Sequence, residues 1–277
     1  MTYLILAILC SAGVSLVMRL GVGHVRNNIS MLAAGYLSCT LLALIHTGLG
    51  HASLQSEGLP VTVGLAAAAG FLLLAGFVFM QLNVRVNGVV LSGIFSKLGV
   101  LVPTAVSVIF FGERPEPLQA AGFLLAIGAI ILMYSDKDAG RAGSRTALLL
   151  LMLFCGMADA MSKIYEELGS AGLQELYLLL SFFFAFLLSL LLVFRKKQGL
   201  APADVFYGLL LGIPNYYSAR FLIRALATVP AVAAYPTYSA ATILVITAAG
   251  ILIFREKLSR RQTAAVIIIL AALVLLN

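Results

Sequence analysis

Long apolar runs alternate with short polar stretches along the whole chain. The runs fall at about 2–20, 29–48, 61–82, 87–111, 117–134, 145–165, 174–194, 204–225, 230–253 and 262–276. Most are near the roughly 20 residues that cross a hydrocarbon core, and the short last run needs only a little tilt or local thinning. They are continuously apolar and do not alternate with period two, which predicts helices and not the strands of a barrel. The pattern therefore predicts an all-α integral membrane protein with ten transmembrane helices. Its only linker-length polar stretch is Ser135 to Ser144, SDKDAGRAGS. It divides a first unit at 1–134 from a second at 145–277. No cationic segment precedes the first run, and Arg19 and Arg26 follow it, which disfavours a cleaved signal peptide.

The two units are copies. Val89 to Gln119, VVLSGIFSKLGVLVPTAVSVIFFGERPEPLQ, aligns with Val232 to Gln262, VAAYPTYSAATILVITAAGILIFREKLSRRQ. At a constant offset of 143 residues, Phe111, Glu113 and Gln119 fall on Phe254, Glu256 and Gln262, and Ser96 falls on Ser239. Five spans per copy is an odd number, so the second copy enters the membrane from the opposite side. Two inverted five-helix repeats are an architecture of secondary transporters, with the substrate site near the midplane between the halves.

Composition narrows the class. A mean hydropathy of +1.07 with 62% hydrophobic and 10% charged residues excludes an ordinary soluble globule. The net charge of +7 does not point to nucleic acid, because the cations sit in short connections between apolar runs, as they do at a cytoplasmic membrane surface. Cations concentrate in the odd-numbered connections: Arg19, Arg26, Arg85, Lys137, Arg141, Arg145, Arg195, Lys196, Lys197, Arg255, Lys257, Arg260 and Arg261. That excess predicts a multi-pass protein of the cell (plasma or inner) membrane with both termini outside. Cys10, Cys39 and Cys155 lie inside apolar runs without ligand spacing and imply neither disulfide nor metal.

The ten spans, the inverted halves and the paired F-x-E-x-x-x-x-x-Q signatures resemble the drug/metabolite transporter superfamily, specifically its EamA-like members. The resemblance covers essentially the whole chain. It implies a carrier working by alternating access, with cargoes ranging over amino acids, metabolites, nucleotide sugars, phosphorylated sugars and drugs. The fold does not fix which. Both termini outside departs from the arrangement usual in that family. Glu113 and Glu256 each precede a helix start, where a carboxylate favours the positive end of the helix dipole.

Ionisable groups inside spans are the candidate chemistry, because their burial costs a few kcal/mol or more. Lys97 lies well inside the fourth span, roughly 15 Å from its nearer end at about 1.5 Å per residue, and must face a cavity or a partner. The resemblance adds that related sugar-phosphate carriers place a lysine on the corresponding helix as an anion ligand. Their further cations on the ninth helix are absent here, since Thr237 to Gly250 holds no lysine or arginine. Asp159 is the only carboxylate well inside a span, and is either the counter-ion of Lys97 or a protonatable coupling group. Four residues on, Lys163 shares its helical face and can pair with it. At the ends of their spans, Lys163 and Arg19 read as snorkelling cations.

The eighth span carries Pro214, Asn215, Tyr216, Tyr217, Arg220 and Arg224. Helical spacing puts Tyr217 beside both arginines, and Pro214 is expected to bend the helix near the midplane. A guanidinium with a tyrosine hydroxyl suits a carboxylate. Lys97, Ser96, Asn215, Tyr217, Arg220 and Tyr238 form the candidate substrate-binding set.

Enzymatic readings find no glycine-rich phosphate loop, histidine cluster or Ser–His–Asp arrangement, and no cofactor or metal is expected. The sequence thus predicts a transporter of a small polar metabolite, an amino acid or other organic anion or zwitterion, working in a lipid bilayer with a proton, sodium or no coupling ion. The alternatives are a proton-coupled multidrug or cation exporter using Asp159, and a non-transporting membrane scaffold or lipid-handling protein.

Overall fold

The computed structural model of the protein describes residues 2–47, 58–110, 116–118, 120–122, 124–125, 128, 145–197, 199–226, 231–258 and 260–275. Its principal helices are α1 (Thr2–Gly21), α2 (Asn28–Thr47), α3 (Leu59–Leu98), α4 (Leu101–Phe110), α5 (Arg145–Leu168), α6 (Gln174–Arg195), α7 (Pro202–Leu226), α8 (Ala231–Leu252) and α9 (Arg260–Leu275). Among the described residues, all regular structure is helical. Most of the expected fifth span, the Ser135–Ser144 linker and Glu113 lie outside them.

Among the described residues, five stretches are long and apolar enough to cross a membrane: Thr2–Gly21, Asn28–Thr47, Leu59–Pro103, Arg145–Ser162 and Gln174–Arg195. Shorter apolar segments follow at Thr237–Leu252 and Thr263–Leu275. The less apolar α7 runs unbroken through Pro214.

The interruptions lie in the third and fourth spans. A loop between 82 and 87 is expected, but α3 runs across it, and the chain changes direction at Gly88 (φ 81°, ψ 170°), a conformation open to glycine and few other residues. The polar sequence NVRVN that reads as a loop is held inside the helix instead. Asn83 is fully buried, and its Nδ2 donates to the Phe79 and Ala147 carbonyls, each at 2.8 Å, while Asn87 Nδ2 donates to Asn83 Oδ1 at 2.7 Å. The 45 residues of Leu59–Pro103 would span roughly 67 Å if straight, about twice a hydrocarbon core. Gly88 breaks that length into two stretches of different direction.

A second break follows Leu98. Pro103 has no N–H for the Gly99 carbonyl, which accepts instead from Val102 N at 2.9 Å, a tighter i+3 bond. The fourth span is therefore two half-helices, 89–98 and α4.

Helices from the first half of the sequence pack against helices from the second. The α3 helix packs on α5 and α6, α7 packs on α1 and α2, and α2 packs on α6. Close approach of α2 and α7 requires small residues: a Cβ on Gly208 would stand 2.6 Å from Ala34 Cβ, and one on Gly212 would stand 2.6 Å from Ser38 Cβ.

Polar contacts draw three connections and the bend in α3 to one end. Asp204, fully buried before the body of α7, accepts from Arg26 N at 2.8 Å and Asn27 N at 3.2 Å. Arg85 Nη2 donates to Val25 O at 3.3 Å, and Arg19 Nη1 to Val84 O at 3.4 Å. Glu256, after α8, reaches Arg19 and the chain just past Gly88. This corrects the expected roles of both Glu256 and Arg19. The carboxylate sits at the positive end of a helix dipole, but of half-helix 89–98 and not of α9. Arg19 is an ion-pair partner at 3.5 Å, with its guanidinium also 5.8 Å from the Phe254 ring centre, and is not a free snorkel.

Candidate functional site

Half-helix 89–98 delivers its last turn, with Ser96 and Lys97, to the interior. The C-terminal end of a helix carries partial negative charge, which favours a cation there. Gly99 N bonds the Ser96 carbonyl and Val100 N the Lys97 carbonyl, both at 3.3 Å, closing the turn. Directly opposite is Gly156 of α5. A Cβ on Gly99 would stand 2.8 Å from Gly156 N, and one on Gly156 would stand 2.7 Å from Val102 Cβ. Two glycines therefore let the break in the fourth span rest against α5, which brings Cys155 and Asp159 to the same level as Ser96 and Lys97.

Lys97 Nζ donates to Tyr238 Oη at 3.2 Å and lies 4.4 Å from that ring's centre. The Tyr238 hydroxyl is 2.9 Å from Ser218 Oγ, which donates to the Ala7 carbonyl at 3.3 Å. One proton assignment satisfies the chain: lysine to tyrosine, tyrosine to serine, serine to carbonyl. It crosses four elements, α3, α8, α7 and α1, and none of its acceptors carries a charge.

Asp159 is close enough to Lys97 for each to feel the other's charge. Even so, among the described residues no carboxylate lies within 4.0 Å of Lys97 Nζ. The expected counter-ion contact is thus not made in this conformation. Midway along α5, Asp159 is exposed. The side chain of Lys163, its expected partner, lies outside the described residues.

Ser96 Oγ donates weakly to Cys155 Sγ at 3.5 Å. Across the bundle, Asn215 Nδ2 reaches Cys39 Sγ at 3.5 Å, and Cys39 Sγ donates to the Gly212 carbonyl at 3.3 Å. The remaining α7 candidates form a separate cluster. Arg220 Nη1 donates to the Tyr216 hydroxyl at 2.6 Å, and Arg224 stands 5.7 Å from the Tyr3 ring centre. Tyr217 instead stacks on Phe221 and meets His46 edge-on at 6.1 Å. The expected pairing of Tyr217 with both arginines is therefore corrected: Arg220 takes Tyr216, one position earlier.

Four participants were not singled out by sequence. Ser218 looks like any serine in a membrane helix, and Cys155 like any core cysteine. Gly99 and Gly156 matter through a contact between distant segments. Only the spacing Gly99-x-x-x-Pro103 gave a local signal, since a proline four residues on orphans the glycine's carbonyl.

Residues 176–269 match the family model described as Small Multidrug Resistance protein. That stretch covers about a third of the chain and lies wholly in the second half of the sequence. A Haemophilus influenzae protein described as uncharacterized is 26% identical over 288 residues, covering 98% of this chain and 95% of its own length. A solved structure titled "Crystal structure of protein" superposes with a TM-score of 0.63 at 17% identity, covering 99% of this chain and 94% of that one. The fold of the whole chain is thus shared with a known structure. The family match is consistent with a membrane transporter rather than an enzyme.

Proposed function

We propose that the chain is an alternating-access secondary transporter of the EamA-like kind, built as inverted repeats at 1–134 and 145–277, that carries a small metabolite bearing a carboxylate. One observation carries this reading. Lys97 is held at a helix break in the bundle interior by neutral hydroxyls, with no carboxylate at ion-pair distance among the described residues. A cation so placed is costly unless a mobile anion completes it. The carboxylate of an amino acid or other organic anion matches that need, with Ser96 and Tyr238 as neutral hydrogen-bonding neighbours and Asn215 across the bundle. We assign Arg220 and Tyr217, in the separate α7 cluster, to the substrate's approach.

The exchanged packing of α1 with α7 and of α3 with α5 supports the two-unit reading, because an inverted repeat places its helices in such reciprocal pairs. The cation-rich end at Arg26 is assigned to the cytoplasm of a cell (plasma or inner) membrane, with both termini outside. Labelling of that end in inverted vesicles but not in intact cells tests the assignment.

A second reading, a proton-coupled multidrug or cation exporter, draws on the family match and on Asp159, an exposed carboxylate deep in α5. Counterflow in proteoliposomes separates the readings. Exchange of labelled amino acids or organic acids, with lipophilic cations inert, is the expected result. Exchange of cations alone favours the exporter, and exchange of nothing favours a scaffold or lipid-handling protein.

A further inference from the structure

Half-helix 89–98 is held at both ends by polar groups, and only the Lys97 end belongs to the site above. At its start, Glu256 Oε1 accepts from Val89 N at 2.8 Å and Oε2 from Val90 N at 3.1 Å, while Arg19 Nε lies 3.5 Å from Oε1. Glu256 N is itself bonded to the Gly250 carbonyl at 3.0 Å, which fixes the loop that presents the carboxylate. A Cβ on Gly88 would stand 3.0 Å from both carboxylate oxygens, so glycine is needed there for space as well as for its positive φ. One side chain from the α8–α9 connection thus ties the end of α1 and the start of a half-helix in the first sequence unit to the second unit.

The two ends of this half-helix differ in access. Between the Glu256 contact and Lys97, Val89, Val90, Ile94 and Phe95 are no more than 1% exposed. Beyond Lys97, both Asp159 and Thr237 are exposed. Buried apolar side chains thus fill the Glu256 side of Lys97, and exposed residues lie on the other. The contact at the Glu256 end is polar and partly exposed, with the Arg19 and Glu256 side chains 28% and 13% exposed. Water can replace such bonds without leaving a dry unpaired charge, unlike those of a buried ion pair.

We propose that Glu256 with Arg19 is a latch closing the cation-rich end of the carrier, and that half-helix 89–98 is the rigid arm linking it to the substrate site. An anion drawn against Lys97 acts on one end of a ten-residue helix whose other end is held by replaceable hydrogen bonds. Tilting the arm releases Val89 and Val90 from Glu256, opens this end, and closes the side of Thr237. The inference rests on the carrier reading, and its test reads conformation without needing a transported substrate.

The test uses protein in nanodiscs with its three cysteines replaced by alanine, and a small water-soluble thiol reagent. Ser92→Cys reports the sealed end, since Ser92 is fully buried one turn past Gly88, and Thr237→Cys reports the open end. Glu256→Gln replaces one acceptor oxygen by an amide that repels the facing N–H. It is expected to raise Ser92→Cys labelling about tenfold and to lower Thr237→Cys labelling, as one two-state shift requires. Arg19→Gln, which leaves the helix cap in place, is expected to act in the same direction and more weakly, covering the case in which Glu256→Gln fails to fold. Unchanged labelling, or a rise at both positions, overturns the latch and makes Glu256 a static cap. Neither of those results would affect the counterflow outcome that decides whether the protein is a carrier.

Discussion

Lys97→Ala is expected to lower substrate exchange by about 100-fold or more while leaving expression, helicity and thermal stability near wild type. A loss of that size corresponds to about 3 kcal/mol, the upper range for a hydrogen bond to a charged group. Folding is spared because the group hydrogen-bonded to Lys97 is neutral. Tyr238 still donates to Ser218, and Ser218 to the Ala7 carbonyl, so no buried charge is orphaned. Lys97→Arg is expected not to restore exchange. The ammonium is a compact charge 3.2 Å from one hydroxyl and 4.4 Å from the ring centre, whereas a planar guanidinium needs more room and a different set of acceptors. Normal exchange in the alanine variant, measured in proteoliposomes of matched protein content, would leave Lys97 a structural residue.

The second large effect is expected at Asp159. The variant Asp159→Asn should retain exchange of substrate between two compartments but lose concentrative uptake driven by an imposed pH gradient. Were Asp159 the fixed counter-ion of Lys97, it would lie within ion-pair distance; here it is exposed midway along α5, near enough to sense the lysine without pairing. A carboxylate so placed can exchange protons with water and can feel whether Lys97 is already occupied by an anion. Uptake that keeps its dependence on the pH gradient in Asp159→Asn would remove the coupling role. Greater stability of Asp159→Asn with Lys97→Met than of either single variant would restore the counter-ion role instead.

The chemistry at Lys97 was legible because a lysine inside an apolar run violates the solvent that the run predicts. The same contrast marked Asp159. What surrounds them was not legible, for reasons that differ residue by residue. Ser218 and Cys155 are ordinary in membrane helices, and only the folded bundle places them beside Tyr238 and Ser96. The Gly99–Gly156 contact joins segments 57 residues apart, and no periodicity encodes it. Polarity misplaced the boundary near residue 85, because Asn83 and Asn87 find their hydrogen bonds inside the helix and against α5 rather than in water. Glu256 was recognised as a carboxylate favouring a helix N-terminus. Which N-terminus it serves depended on Gly88, whose positive φ exposes the first N–H groups of half-helix 89–98 next to a loop 167 residues later.

Whether Lys97 and its neighbours receive a carboxylate is read out by alkylation of a single cysteine at the site. With the native cysteines removed, Ser96→Cys places a thiol one residue from Lys97, and its reaction rate with a small charged reagent is measured across a panel of amino acids, organic acids and lipophilic cations. The account predicts that one or more carboxylate-bearing compounds slow the reaction in a saturable manner, and that the protection disappears when Lys97→Ala is added. Protection by lipophilic cations alone, or carboxylate protection that survives Lys97→Ala, would contradict it.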